Sequence, residues 1–564
     1  MTTRPHELAL PPVPDKVVIQ RGAVQEILFQ DNDLLYLRSV NYRLRGQIIL
    51  HIQPRRNQRQ LAVNRHDGES WGAERILELP EDTGATLRLR VAFTAQGAEI
   101  GVMRGDDTLA ELLFEPCAGL RGIAELERAP SILLRLPAAA PAAPEQPAPR
   151  LALKASLAAG GTLLLQGRLD DPDGQALALR PEQEGWLCPP LALLTARETE
   201  APAPGRPLLA AGDLVGSAAK TPPRWVSLAL ADGTTRRLPL PPAMPVALET
   251  IQHWLGLACP APEEIGPVFS RLLATPLLAL QAELAARPLA HRERRFGEPL
   301  PAPRASLVIP LYGRLDFMAF QAALFSQGGL DQDELIYVLD NPAQAEEAEQ
   351  LARSAQARFG LPLRLLLPER RQGFGGASNL GLAAARGRHV CFLNSDAFPL
   401  DTGWLDRLVA RLDADAGIGV VGARLLFANG TLQHDGMWFV PQPGLAGWPF
   451  PRHLGKGLHP PEAAPGLLDV PAVTGACMAL RREVALELGG FDPAYVIGDF
   501  EDADLCRRVL ARGLRCCVDR AVRLWHLERQ SQGSDAEPWR RNLSLLNAAT
   551  FAGRWQDRIE MTHE

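Results

Sequence analysis

From about residue 300 onward the chain alternates short apolar runs with helical runs, and this alternation restricts its fold more than any other feature. ASLVIPLYG reads as a strand, RLDFMAFQAALFSQ as a helix, DELIYVLD as a strand and AQAEEAEQLARSAQARF as a helix. LPLRLLLPE and HVCFLNSD are further strands. Such alternation predicts an α/β layered domain built on an open sheet. Open sheets of this type bind ligands beyond the carboxyl ends of their strands. Pro310, Tyr312, Asp340 and Asp396 all fall at such ends. Between the last two strands, Arg371-Gln-Gly-Phe-Gly-Gly-Ala-Ser-Asn-Leu-Gly381 opens a helix. Gly373, Gly375 and Gly376 remove side chains where backbone has to pass close to a ligand. Asn379 either holds that turn or reaches the ligand.

The preceding half has a different period. QIILHIQ, RQLAVNR, TLRLRVAFTA, AEIGVMR and SILLRL alternate apolar and polar residues between turn-forming Gly, Asp and Asn, which predicts an all-β sandwich over 1–137. Residues 138–149 are a Pro/Ala linker with no apolar period to fold around. A second β-rich unit is expected over 150–245, a helical linker over 246–298, and the α/β domain over 299–564. A chain of 564 residues exceeds one ordinary core, in keeping with this multidomain division.

Composition excludes some functions. The net charge of -6 gives no basic surface for nucleic acid. The eight cysteines are scattered without CxxC spacing, and Cys391 and Cys477 lie inside apolar runs, so buried free thiols in a reducing compartment are expected. The start lacks a signal-peptide core, and no apolar run reaches the roughly 18 residues of a membrane span. A cytoplasmic protein follows, with the inner face of the cell membrane as a peripheral site reached through partners. Oligomeric state is not legible.

The ordered motifs VIPLYGR, VLDNP, RQGFGGASNLG, FLNSDAFP, TGACMALRRE, GGFD, FEDADLCRR and WHLE span about 300–530. Together they resemble the family 2 glycosyltransferases of GT-A fold. The resemblance implies a nucleotide-sugar donor, with UDP-sugars favoured, and transfer of a hexose to a glycan hydroxyl in polysaccharide biosynthesis. It places Pro310 and Tyr312 against the base and Asp340 on a base N–H or ribose hydroxyl. Gly373, Gly375, Gly376, Asn379 and Ser395 also fall in its donor site. Asn394-Ser-Asp396 resembles the family's DxD motif with the first acid replaced. The implied divalent cation, Mn²⁺ or Mg²⁺, then rests on Asp396, on His526 after Trp525, and on the donor diphosphate. Glu501-Asp502 resembles the family's ED motif. A sugar hydroxyl is a poor nucleophile until its proton is leaving, so a general base is required, and Asp502 takes that role. Glu501 orients it or binds the acceptor. Attack from the face opposite the nucleotide inverts the anomeric centre. Thr474-Gly475 resembles the family's floor between donor and acceptor. The Pro/Gly-rich insert between Phe439 and Asp469 falls on the acceptor side, where Trp448, Phe450 and His453 line a sugar subsite or pack the loop.

The first β unit carries a second resemblance. Leu50-His51-Ile-Gln53-Pro54-Arg55, Val63-Asn64 and Trp71-Gly72-Ala73-Glu74-Arg75 resemble the galectin carbohydrate-binding sequence. His51, Gln53 and Arg55 alternate and so share one face of a strand. The resemblance adds Asn64 and Glu74 as hydrogen-bonding groups and Trp71 as a flat surface for a galactose-like ring. Gln53 stands where galectins usually have Asn, and the basic residue after the glutamate comes one position early, at Arg75. The whole reading is an inverting, metal-dependent transferase with a lectin-like module for acceptor or product. The alternative is a non-catalytic glycan-binding protein with a degenerate transferase domain.

Overall fold

The computed structural model describes residues 15–19, 24–30, 40–44, 47–55, 60–66, 71–79, 86–94, 96–104, 107–118, 122–127, 133–135, 149–183, 186–197, 205–214, 221–445, 447–460, 466–527 and 537–562. Most of the expected 138–149 linker lies outside the described residues, as does the side chain of Arg55. Two compact units form: Met1–Pro245 with Leu257–Ala279, and Val246–Gly256 with Leu280–Glu564.

The first unit is antiparallel β-structure, as the period-two patterning predicts. A six-stranded sheet runs in the order Asp15–Ile19, Gly122–Glu127, Val40–Leu44, Gln47–Arg55, Gln60–Asn64 and Arg75–Glu78. A nine-stranded sheet contains Val24–Gln30, Thr86–Phe93, Ala98–Arg104 and Asp107–Phe114. Inward residues of both sheets, among them Tyr42, Ile52, Val63, Val91, Phe93 and Ile100, share one core. A second core gathers Leu163, Leu165, Leu179, Val226 and Leu228 from the 150–245 region. The two β regions are not separate sheets. Leu133–Arg135 pairs with Trp186–Leu187 at Leu134↔Leu187, which continues the nine-stranded sheet from one region into the other.

The second unit is built on a mixed sheet in the order His291–Phe296, Leu363–Pro368, Glu334–Leu339, Ala305–Leu311, His389–Leu393, Cys477–Arg481, Ile418–Leu426, Arg515–His526 and Ala397–Pro399. Its parallel centre, Glu334–Leu339 beside Ala305–Leu311 beside His389–Leu393, is buried on both faces, as an α/β sheet requires. The helices Phe317–Phe325, Ala345–Phe359, Gly373–Ala384 and Trp404–Ala414 supply the crossovers and cover the sheet. The sheet begins earlier than 299. His291–Phe296, placed by its sequence in the helical linker, is an edge strand antiparallel to Leu363–Pro368. Its residues HRERRF offer no apolar alternation because an edge strand with solvated faces needs none, and charge there blocks further pairing. The insert forms a hairpin, Met437–Gln442 with Trp448–His453. All eight cysteines are free, and only Cys259 is partly exposed. Among the described residues no single helix is long and apolar enough to cross a membrane.

Candidate active site

Beyond the carboxyl ends of the central strands lies a cleft of about 900 Å³. Pro310, Tyr312, Asp340, Ser395, Asp396, Thr474, Gly475, Glu501, Asp502 and His526 all line it. Topology explains the gathering: Pro310 and Tyr312 close one strand, Asp340 follows the next, and Ser395 and Asp396 follow the third.

The glycine-rich turn is organised by Asp340. Its buried carboxylate accepts the backbone N–H of Gln372 at 2.6 Å and of Gly373 at 3.0 Å, and Arg371 Nε lies 3.6 Å away. Burial pushes the Asp340 pKa up to about 6, while these amides and the Arg371 charge oppose the shift. The Arg371 guanidinium stacks 4.1 Å from the centre of the Tyr312 ring, forming a flat cationic wall. The glycines themselves face protein. Gly373 has φ +75°, and a Cβ there would fall 2.5 Å from Ile497 Cα. A Cβ at Gly375 would meet Phe491, and one at Gly376 would meet Gln372. Asn379 also turns inward: its amide donates to the Phe491 carbonyl at 2.7 Å and accepts the Phe491 N–H at 2.8 Å. It thereby ties the helix Gly373–Ala384 to the Phe491 backbone. Phe374 and Arg371, rather than the glycines, line the cleft.

Asp396 and His526 meet because Ala397–Pro399 pairs antiparallel with Leu524–His526. Asp396 Oδ1 lies 3.3 Å from His526 Nε2, and Asn394 Nδ2 lies 3.2 Å from the same nitrogen. Both Asp396 and His526 are buried at the cleft floor. Two cis ligands on an ion with bonds of roughly 2.1 Å stand about 3 Å apart, so this pair fits one divalent cation. Among the described residues no third His, Cys, Asp or Glu joins them. Remaining ligands have to come from solvent or from the donor.

Glu501 and Asp502 open the helix Glu501–Leu510. Asp502 Oδ2 accepts the Gly475 N–H at 2.9 Å, and its Oδ1 accepts the Ala503 N–H at 2.7 Å. Burial raises the pKa of both carboxyls, and that of Glu501 goes well above the ordinary value, with the Asp502 charge adding to it. Space at Gly475 is tight, since a Cβ would sit 3.1 Å from the Phe374 ring. The preceding loop holds Ile497, Asp499 and Phe500 at φ of 60°, 79° and 72°, a conformation that L-residues rarely adopt. The fully buried Asn547 keeps it there, accepting from Val496 N–H and donating to the carbonyls of Val496, Gly498 and Asp499. Nothing in the motifs identified Asn547; a lone Asn inside the apolar run LSLLNAATFA is the signal that it left. Asp504 serves packing, accepting from Tyr495, Arg508 and Trp555.

On the insert side, Phe450 and His453 line the cleft, whereas Trp448 is buried away from it. Four buried polar atoms on cleft residues have no hydrogen-bond partner: Arg371 Nε, Gln433 Oε1, Glu501 Oε2 and His526 Nδ1. Buried polar groups are normally paired, so this concentration suits a site that a polar ligand completes. Gln433 and His434 carried no motif and were missed.

In the first unit, His51 faces Asn64 across the strand pair, and its Nε2 lies 3.3 Å from Gln53 Oε1. The Trp71 ring is 4.8 Å from the His51 ring and 4.9 Å from that of His66, and Trp71 is 50% exposed. Glu74 is exposed and raises the His51 pKa, although burial, the larger effect, lowers it. These residues therefore sit together on one surface.

Residues 306–489 match the model of glycosyl transferase family 2. Within the second unit, the region 306–489 is thus a family 2 glycosyltransferase domain. The O-antigen biosynthesis protein RfbC of Myxococcus xanthus is 33% identical over 242 residues, 42% of this chain and 18% of that protein. The amylovoran biosynthesis glycosyltransferase AmsB of Erwinia amylovora is 25% identical over 212 residues, 37% of this chain and 65% of that protein. The chain thus spans less than two thirds of these relatives. Among solved structures, GalNAc-T7 with UDP, GalNAc and Mn²⁺ is 17% identical, with 43% of this chain and 47% of that one covered at a TM-score of 0.35.

Proposed function

We propose that the protein is an inverting hexosyltransferase that moves a sugar from a nucleotide donor, with UDP favoured, to a hydroxyl of a glycan acceptor. The observation that carries this reading is the convergence of Asp340, Asp396–His526 and Glu501–Asp502 on one cleft of a family 2 domain. Tyr312 and Arg371 offer a flat surface for a base. Asp396 and His526 would hold Mn²⁺ or Mg²⁺, which when bound offsets charge on the leaving diphosphate. Asp502, fixed by the Gly475 N–H, takes the acceptor proton as the hydroxyl attacks. Glu501 sits beside it and keeps a proton more readily. Phe450 and Gln433 border the acceptor side. The relatives' names, O-antigen and amylovoran biosynthesis, support a role in polysaccharide biosynthesis. The surface around Trp71 is the lectin-like module of this reading and binds acceptor or product, including galactose-containing chains.

Nucleotide release from a panel of UDP-, GDP- and dTDP-sugars with Mn²⁺ or Mg²⁺ and glycan acceptors tests the proposal. One donor should turn over, and Asp502→Asn should cut the rate by about 10²–10⁴-fold. Chelation should also abolish turnover. No turnover from any donor, with glycan binding retained, would leave a binding protein instead.

A further inference from the structure

His434 ends the short strand Leu432–His434 and is 1% exposed. Burial, the foremost cause, holds its pKa well below the ordinary value, so the ring is neutral. A neutral imidazole has one donor and one acceptor nitrogen. Nε2 of His434 accepts the Thr474 backbone N–H at 3.4 Å, so its proton resides on Nδ1. That Nδ1 lies 2.8 Å from Nδ1 of His453. Nδ1 of His434 therefore donates, and Nδ1 of His453 accepts, which puts the His453 proton on Nε2. His453 closes the insert hairpin, opposite Met437. The next amide in the chain after Thr474 is that of Gly475, which donates to Asp502 Oδ2 at 2.9 Å. Two successive amides are thus tied down, one to His434 and one to the base.

We propose that the His434–His453 pair is a positioning device for the general base: an acceptor atom at position 453 fixes the proton on His434 Nδ1, and this tautomer holds the Thr474–Gly475 backbone so that the Gly475 N–H aims at Asp502. The placement of the insert hairpin and the aim of the base are then one event. The inference rests on Asp502 being the base. A donor-only side chain at 453 sets two N–H groups against each other, and an apolar one leaves the buried Nδ1–H unpaired. Either drives His434 to the other tautomer or out of place, and the Thr474 amide loses its acceptor.

The test compares His453→Gln, His453→Leu and His453→Lys in the full chain, measuring kcat, acceptor KM, nucleotide affinity and the ¹⁵N shifts of the His434 ring. Gln can accept through its amide oxygen; Leu and Lys cannot. Leu and Lys should lower kcat at least about tenfold while nucleotide affinity holds, because a misaimed catalytic group costs rate before it costs donor binding. Gln should recover most of that loss. Wild type and Gln should both show His434 protonated on Nδ1, and Lys should not. Equal loss in Gln and Leu, undiminished kcat in Leu, or a wild-type proton on Nε2 each overturns the proposal. If wild type transfers no sugar, the functional reading fails, and the ring shifts still decide whether position 453 sets the His434 tautomer.

Discussion

The neighbouring carboxyls Glu501 and Asp502 differ in what the backbone offers them. Asp502 accepts two amide N–H groups, whereas Glu501 Oε2 is buried without a partner. A proton shared within the pair therefore favours Glu501, and Asp502 is left ionised to act as base. Because the folded pKa of Glu501 stands above its unfolded value, its contribution to stability is present below the unfolded pKa and is lost as pH rises through the folded one. Gln at this position carries no charge at any pH. Glu501→Gln should therefore raise the melting temperature over wild type at pH 8, and the gain should shrink at pH 5. An equal gain at both pH values would count against a buried, proton-holding Glu501. The motif located these two acids in the sequence. Which one holds the proton depends on burial and on the Gly475 amide, 27 residues away in the chain, and no local pattern encodes that.

At the scale of elements, the strained loop before Glu501 depends on a helix that the motifs do not touch. Asn547 on Pro538–Trp555 makes four hydrogen bonds to Val496, Gly498 and Asp499, the stretch in which Ile497, Asp499 and Phe500 have positive φ. Asn547→Ala removes those bonds and leaves buried carbonyls unpaired, a loss of about 2–4 kcal/mol by the usual cost of such groups. Urea unfolding should show that loss, and kcat should fall because Ile497 and Phe500 frame Glu501. A variant with wild-type stability and kcat would remove Asn547 from this role. The apolar periods of ASLVIPLYG and DELIYVLD revealed the central strands because those strands are buried on both faces. HRERRF gave no such sign, since its edge position leaves charged side chains in solvent. Gly373, Gly375 and Gly376 were legible as positions without side chains. The partner they make room for is protein, namely Ile497, Phe491 and Gln372, and only the tertiary fold supplies that.

At the scale of the whole molecule, the chain joins a cleft suited to sugar transfer to a β-sandwich whose Trp71 is half exposed beside His51. Alternation in Gln47–Arg55 was enough to place His51 and Gln53 on one strand face. The neighbourhood of His66 and Trp71 arises from an antiparallel bridge between them that the sequence does not announce. Tethering a weak glycan site to a catalytic one raises the local acceptor concentration when the acceptor is long enough to occupy both, with no new contact at the cleft. Short acceptors gain nothing from it. The ratio of kcat/KM for a long acceptor to that for a short one is therefore the informative quantity, and it cancels any general loss of active protein. Trp71→Ala removes an exposed ring, so it should leave the sandwich folded while lowering that ratio by about tenfold, the equivalent of some 1.4 kcal/mol of lost contact. Direct binding of the long glycan to the Asp502→Asn protein should weaken to a similar extent when Trp71→Ala is added. A length ratio indifferent to Trp71 would separate the sandwich from acceptor handling and leave the cleft to select its acceptor alone.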